Sequence, residues 1–206
     1  MLLSTRSMFP VAALGVILAA FPCGIMKCQP SLDEPGQRRA AEAFFTALRT
    51  SAGGNRVDAA GIGVRLLWDA GRLVEVAPAV ARRAEVGVYG EYIPRQNLSG
   101  ADAFTAYRLG VAGDLRLLEM PLAGMFDPVL SIGAGMWHSS ATGTITARSP
   151  LLGASVTAME VAPGVGVRVP FGPAIGIRFD VHDAMTLRSG ARTSLGFGAG
   201  LRFQFL

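Results

Sequence analysis

The chain has 206 residues, enough for one domain of moderate size. Half of its residues are apolar, only 17% are charged and 26 are glycine, so its composition fits neither a disordered nor a collagen-like chain. The net charge of +4 is dispersed, with no run of like charge longer than a pair, and we therefore expect no nucleic-acid binding.

The N-terminus has the pattern of an export signal. Arg6 precedes an apolar run over Phe9–Phe21. The uncharged stretch Phe9–Met26 is shorter than the ~20 residues that a spanning helix needs, and two prolines interrupt it. These features favour a cleaved signal peptide within residues 1–30 over a membrane anchor, without fixing the cleavage site.

The two cysteines, Cys23 and Cys28, both lie beside this apolar run. The rest of the chain therefore has no disulfide framework and no cysteine-based metal site, and we expect neither a metal nor a cofactor. Lipidation of either cysteine is left open.

Residues 31–57 are predicted to form a periplasmic segment with one short amphipathic helix at about 35–50. Pro35 suits the first helical position, and apolar residues recur at spacings of three and four at Ala41, Phe44, Phe45 and Leu48. The helix either packs against the domain or lies on a membrane or partner surface. We favour packing, because no face combines Lys or Arg with Trp.

Beyond this segment the sequence alternates between apolar and polar residues with a period of two. The clearest case is the C-terminus, where apolar side chains from Leu195 to Phe205 occupy one face and glycine, Arg202 and Gln204 the other. The same pattern predicts eight strands: Gly61–Asp69, Arg72–Val80, Ala84–Ile93, Phe104–Leu118, Pro128–Met136, Met159–Val169, Ala174–His182 and Leu195–Leu206.

The polar faces of these strands mix both signs of charge with glycine and alanine. Near-balanced charges beside small residues suit a closed interior, because a buried unpaired charge costs several kcal/mol. The strand lengths suit an oblique bilayer crossing, which needs ~9–11 residues. We therefore predict an all-β fold, an eight-stranded antiparallel transmembrane β-barrel over residues 58–206, preceded by the signal peptide and the short helix. The predicted interior charge network comprises Arg65, Arg108, Asp114, Arg116, Glu160, Arg168, Arg178, Asp180 and Arg202.

The predicted topology alternates outer loops with periplasmic turns. Pro170–Pro173 suits a tight periplasmic turn, whereas the connection Glu119–Asp127 is long for one. The predicted outer loops are Ala70–Gly71, Pro94–Asp102, His138–Ala154 and Asp183–Ser194. Aromatic girdles are predicted from Trp68, Tyr92 and Tyr107 at the outer side and from Phe203 and Phe205 at the inner side.

The C-terminal strand resembles the terminal assembly signal of bacterial outer-membrane barrels, through Leu201, Phe203 and Phe205. The segment Val161–Asp183 is similar to the last hairpin of OmpA-like eight-stranded proteins, although this chain ends on Leu206 where that family usually ends on an aromatic residue. The resemblance implies a location in the bacterial outer membrane. It also implies two partners, outer-membrane lipid and the barrel-insertion machinery that reads the C-terminal strand.

Candidate catalytic chemistry is sparse. His138 and Ser140 share a strand face and resemble in miniature the His-x-Ser pair of outer-membrane lipid A deacylases. His182 has carboxylates on both sides in the sequence and is interpreted as a rim histidine paired with one of them. We therefore expect a structural or surface-exposed barrel with no open pore and no catalysis. A lipid-modifying hydrolase that uses His138 and Ser140 is the alternative, and the oligomeric state, the ligand and the biological process are left open.

Overall fold

Eight antiparallel strands close into a barrel in the computed structural model, which describes residues 39–52, 55–70, 80, 83–99, 102–142, 155–187 and 192–205. Each strand pairs with the next and β1 pairs with β8, which confirms the predicted fold class. Among the described residues, no helix is both long and apolar enough to cross a membrane. The strands are β1 Arg39–Ala52, β2 Asn55–Asp69, β3 Ala84–Ser99, β4 Asp102–Arg116, β5 Asp127–Thr142, β6 Val156–Pro170, β7 Ile175–Thr186 and β8 Arg192–Phe205.

The first strand of the barrel corrects the prediction of a helix at 35–50. β1 occupies this segment and closes the barrel against β8, so the barrel domain begins at Arg39 and not at residue 58. The sequence of this segment fits both the helical spacing of three and four residues and the strand period of two. The adjacent pair Phe44 and Phe45 obscures the strand period, because it supplies one apolar residue to each face of a strand. Pairing on both sides of β1 decides in favour of the strand. The predicted signal peptide at 1–30 and residues 31–38 lie outside the described residues.

The predicted strand over Arg72–Val80 is not among the eight that close the barrel. Apart from Val80 it lies outside the described residues. The predicted number of strands is right, but β2 runs in the opposite direction to the prediction. We call the end of the barrel that holds Arg39 and Phe205 the terminal rim, and the opposite end the distal rim. Trp68 therefore lies at the same rim as Phe203 and Phe205, and not at the opposite one as predicted. Ala70, the first residue of the predicted outer loop, follows Asp69 at this terminal rim.

The strands are strongly staggered around the barrel. Successive pairing partners of Val111 lead to Phe203 on β8 in one direction and to Thr193 in the other, an offset of ten residues. Such a stagger tilts the strands by roughly 35–45° from the barrel axis. At that tilt, the ten steps from Tyr107 to Leu117 span about 25 Å along the axis, the height of a typical apolar belt.

An apolar belt covers the outward face of the strands. Its side chains are exposed to the surroundings although they are large and apolar, which is the reverse of a soluble barrel. Tyr92, Tyr107, His138 and Thr157 are successive cross-strand partners towards its distal edge. Outward members of the belt include Phe45, Ile62, Val64, Leu66, Leu109, Val111, Ile132, Phe197 and Leu201.

The strands continue past this edge into three segments predicted as outer loops. β3 ends at Ser99, β5 at Thr142 and β7 at Thr186, so each prediction placed the loop too early. The polar and small residues at these strand ends weaken the alternation that marks a strand inside lipid. Strand pairing is nevertheless retained there, because the hydrogen bonds between paired strands satisfy the backbone N–H and C=O groups in water as they do in lipid.

The height of the belt generates a graded prediction. Val111→Arg lies near the middle of the belt and should lower the free energy of unfolding by about 2–4 kcal/mol, whereas Leu117→Arg at the terminal edge should lower it by about 0–1 kcal/mol. Urea unfolding of both variants in phospholipid vesicles measures the difference. Equal losses at the two positions would show that the belt is wrongly placed.

Candidate functional site

The inward face of the barrel carries a cluster of four arginines and four carboxylates, which we call the main cluster. Glu42 accepts hydrogen bonds from Arg202 at 2.7 Å and from Arg65 at 3.2 Å. Arg178 lies 3.5 Å from the same carboxylate. These arginines come from β8, β2 and β7, so Glu42 on β1 joins four strands. The members of the main cluster are Arg65, Arg168, Arg178, Arg202, Glu42, Glu85, Asp114 and Asp180.

Asp114 forms the second centre of the main cluster. Its carboxylate accepts hydrogen bonds from Arg178 through both oxygens and from Arg168 at 2.7 Å. Glu85 bridges two cluster arginines, at 2.7 Å from Arg168 and 2.6 Å from Arg202. The formal charges of the main cluster therefore balance.

A second group, the Arg108 cluster, lies on the distal side of the main cluster. Arg108 contacts Glu91 at 3.3 Å and Glu160 at 3.2 Å, and its guanidinium stacks over the ring of Trp137 at 4.8 Å. Tyr89 donates a hydrogen bond to Glu160 at 3.3 Å. This cluster has two carboxylates for one arginine, and one oxygen each of Glu91 and Glu160 is buried without a hydrogen-bond partner.

His182 connects the two clusters and does not lie at the rim. Its Nδ1 is 3.5 Å from Asp180 of the main cluster, and its Nε2 is 3.4 Å from Arg108. The predicted pairing with a carboxylate is thus present, but inside the barrel. Glycines make room for these side chains, since a Cβ on Gly196 would overlap His182 and one on Gly198 would lie 2.7 Å from Asp180.

The structure places all nine residues of the predicted interior network on the inward face. Arg116 stands apart from both clusters and pairs with Asp127 at 2.8 Å near the terminal rim. Sequence reasoning missed Glu42, because the helix assigned to that segment placed it on a solvated surface. The available signal was the period of two from Ala40 through Glu42 to Thr46 and Leu48, all of which are buried.

The distal half of the interior contains an apolar layer, beside the buried hydroxyl side chains of Ser139, Thr186 and Ser194. Leu48, Val57, Ile93, Phe104 and Trp137 form its centre, and all are buried. Sequence reasoning placed mainly polar and small side chains inside the barrel and missed this layer. Trp137 directly follows Met136, the last residue of a predicted strand, and continuing the period of two by one residue places it on the inward face.

His138 and Ser140 lie on the outward face near the distal rim, whereas Ser139 between them is buried inside the barrel. The Nδ1 atom of His138 is 2.8 Å from the hydroxyl of Thr157, and its ring stacks on Tyr107 with centroids 4.8 Å apart. The imidazole is therefore oriented by a neutral hydroxyl group. Among the described residues, no group of three or more His, Cys, Asp or Glu side chains could hold a metal ion.

The difference in charge balance between the two clusters predicts effects of different size for two matched substitutions. Glu42→Gln leaves arginines of a balanced cluster without a counter-charge and should lower the free energy of unfolding by about 3–5 kcal/mol. Glu160→Gln removes the excess negative charge of the Arg108 cluster and should change it by less than about 1 kcal/mol. Urea unfolding in detergent micelles at neutral pH measures both, and a loss at Glu160 as large as that at Glu42 would contradict the charge assignment.

The sequence matches no protein-family model and no curated protein. Solved structures do share the fold, among them neisserial surface protein A, with a TM-score of 0.60, 11% sequence identity and coverage of 81% of this chain and 97% of that one. The N-terminal β-barrel domain of Pseudomonas aeruginosa OprF gives 0.55 and 11%, with coverage of 82% and 99%. Ail of Yersinia pestis, in complex with the heparin analogue sucrose octasulfate, gives 0.52 and 13%, with coverage of 84% and 100%. The chain therefore has the fold of the small eight-stranded outer-membrane β-barrels.

Proposed function

We propose that the chain is an integral outer-membrane protein that acts as a structural or surface-exposed barrel, with no open pore and no catalytic activity. One observation carries the proposal: the lumen is filled by side chains at two levels. The two charged clusters occupy the middle and the terminal half, and the apolar layer around Phe104 and Trp137 occupies the distal half. An eight-stranded barrel is only wide enough for such a filling.

A small cavity within the charged level supports a closed lumen. It lies between the Arg108 cluster and the main cluster and has a volume of about 40 Å³. Its lining includes Glu91, Arg108 and His182, all held by the contacts described above. A hydrated ion would have to displace buried ion pairs in order to pass.

The proposed orientation places the terminal rim in the periplasm. An N-terminal export signal would deliver the chain to that compartment, and β8 would present Leu201, Phe203 and Phe205 to the barrel-insertion machinery. All three side chains are exposed on the outward face of β8, where they are accessible both to that machinery and afterwards to lipid.

Conductance tests the proposal directly. The purified full-length chain in planar lipid bilayers should give no stable large conductance, and liposomes that carry it should not take up sugars, because both levels of the filling block the lumen. Rare small openings agree with a rearranged ion pair. Steady nanosiemens steps would overturn the proposal, since a water-filled channel needs a wider barrel, on the order of 16 strands.

A lipid-modifying hydrolase is the second candidate function, favoured by the outward position of His138 and Ser140 near the distal rim. A serine nucleophile needs a histidine base whose Nδ1 is oriented by a third group, and Thr157 occupies that place. A hydroxyl group stabilises the imidazolium less than the carboxylate of a Ser-His-Asp triad. We therefore prefer the non-catalytic barrel.

An acyl-release assay separates the two functions. We expect outer-membrane vesicles with the native chain to release fatty acid from their lipids no faster than vesicles with Ser140→Ala or His138→Asn. Both side chains lie on the outward surface, so the variants should fold and insert normally. Release by the native chain that both substitutions abolish would establish the hydrolase.

A further inference from the structure

The connection between β4 and β5, residues 117–126, presents an unusual number of apolar side chains at the terminal rim. We call it the terminal-rim hairpin. Its only charged side chain is that of Glu119. The large apolar residues are far from buried, with relative exposures of 43% for Leu117, 64% for Met120, 62% for Leu122, 53% for Met125 and 42% for Phe126. This is the connection whose length was unexpected for a periplasmic turn.

The hairpin has a defined backbone. The amide of Leu122 donates to the carbonyl of Phe126 at 2.6 Å, and the amide of Phe126 donates back to Leu122 at 3.0 Å. Ala123 and Gly124 make the turn between them with φ of 52° and 71°, and the amide of Met125 donates to Leu122 at 3.1 Å. The apolar side chains are therefore carried on a hydrogen-bonded turn.

The pairing register directs this surface away from the lumen. Asp127 faces inward and is buried, so its neighbour Phe126 points outward in the extended backbone. Leu122 is the bridge partner of Phe126, and side chains of directly paired residues lie on the same side. Leu117 also continues the ladder, since its amide donates to the carbonyl of Pro128 at 2.9 Å.

The position of the hairpin identifies its partner. Leu117 forms the terminal edge of the apolar belt of β4, so Phe126 and Leu122 continue that belt beyond the last strand residues. The outward aromatic residues at this rim, Phe203 and Phe205, mark the boundary between hydrocarbon and water. Apolar side chains that extend the belt at this boundary are placed to meet the leaflet around the barrel.

We propose that the terminal-rim hairpin is a lipid-binding surface, which inserts Leu122, Met125 and Phe126 into the interfacial region of the phospholipid leaflet at the terminal rim. The proposal rests on the proposed membrane location of the barrel. A phospholipid leaflet fits the surface better than a protein partner does, because the apolar surface is continuous with the belt that the lipid already covers. The hairpin thus adds an anchor on one side of the barrel, beside β4 and β5.

Nitroxide scanning in a bilayer tests the proposal. The full chain with Cys23→Ser and Cys28→Ser receives one cysteine at a time, at Leu122 or Met125, and is folded into vesicles of phosphatidylethanolamine and phosphatidylglycerol. Leu130 in the outward belt is the lipid reference. Gly172, in the terminal-rim turn between β6 and β7, is the water control, because a Cβ there meets no atom within 4 Å.

Collision rates with oxygen, which partitions into lipid, and with a nickel chelate, which stays in water, give the result. The measured quantity is the ratio of the oxygen collision rate to the nickel-chelate collision rate. We expect this ratio to be severalfold higher for the labels at Leu122 and Met125 than for the label at Gly172. Labels as accessible to nickel as that at Gly172 would overturn the proposal and would leave a protein partner as the occupant. Spin–spin broadening at Leu122 would also overturn it, in favour of a second copy of the chain. If the Leu130 label itself were accessible to nickel, the proposed membrane location would fail.

Discussion

Two buried carboxylates, Glu42 and Asp114, organise the interior of this barrel. Glu42 on β1 contacts arginines of β2, β7 and β8, and Asp114 on β4 contacts arginines of β6 and β7. Several of these contacts join strands that are not neighbours in the sheet, so they cross the lumen and not merely one ladder. A register slip of one residue would turn these charges towards lipid. Closure and the ten-residue stagger are therefore tied to the same ion pairs.

The narrow lumen sets the second constraint, which is volume. Phe44 is paired with Gly63 on one side and with Gly200 on the other, and a Cβ on either glycine would overlap its side chain. The guanidinium of Arg65 then stacks over the Phe44 ring at 5.3 Å. Large and small inward residues are thus matched between neighbouring strands. Towards the distal rim, a lumen of the same width is filled by apolar side chains. The filling of the lumen therefore changes from charged to apolar while its width stays the same.

The period of two was sufficient to predict the fold class and the inward face of all nine predicted network residues, because a single slip would expose charge to lipid. It did not assign β1, because the adjacent residues Phe44 and Phe45 obscure the period there, and pairing with β2 and β8 identifies the strand. Because β1 was not predicted as a strand, Glu42 was missed and β2 was assigned the opposite direction. Trp68 was therefore predicted at the wrong rim. The partners of each arginine depend on the stagger of distant strands. For that reason Arg168 meets Glu85 and Asp114, strands away, and no local pattern indicates this.

The two rims differ in how the chain leaves the membrane. On the distal side β4 begins at Asp102 and β5 ends at Thr142, so regular ladder continues beyond the row of Tyr107 and His138. The outward residues in that extension, such as Thr105 and Ser140, are polar or small and suit water. On the terminal side the strands stop near the edge of the belt, and the connection that follows β4 remains apolar. A barrel built in this way exposes a stiff collar of strands at one surface and keeps contact with lipid at the other. Its vertical position is therefore fixed by where polarity changes along each strand, and not by the lengths of its connections.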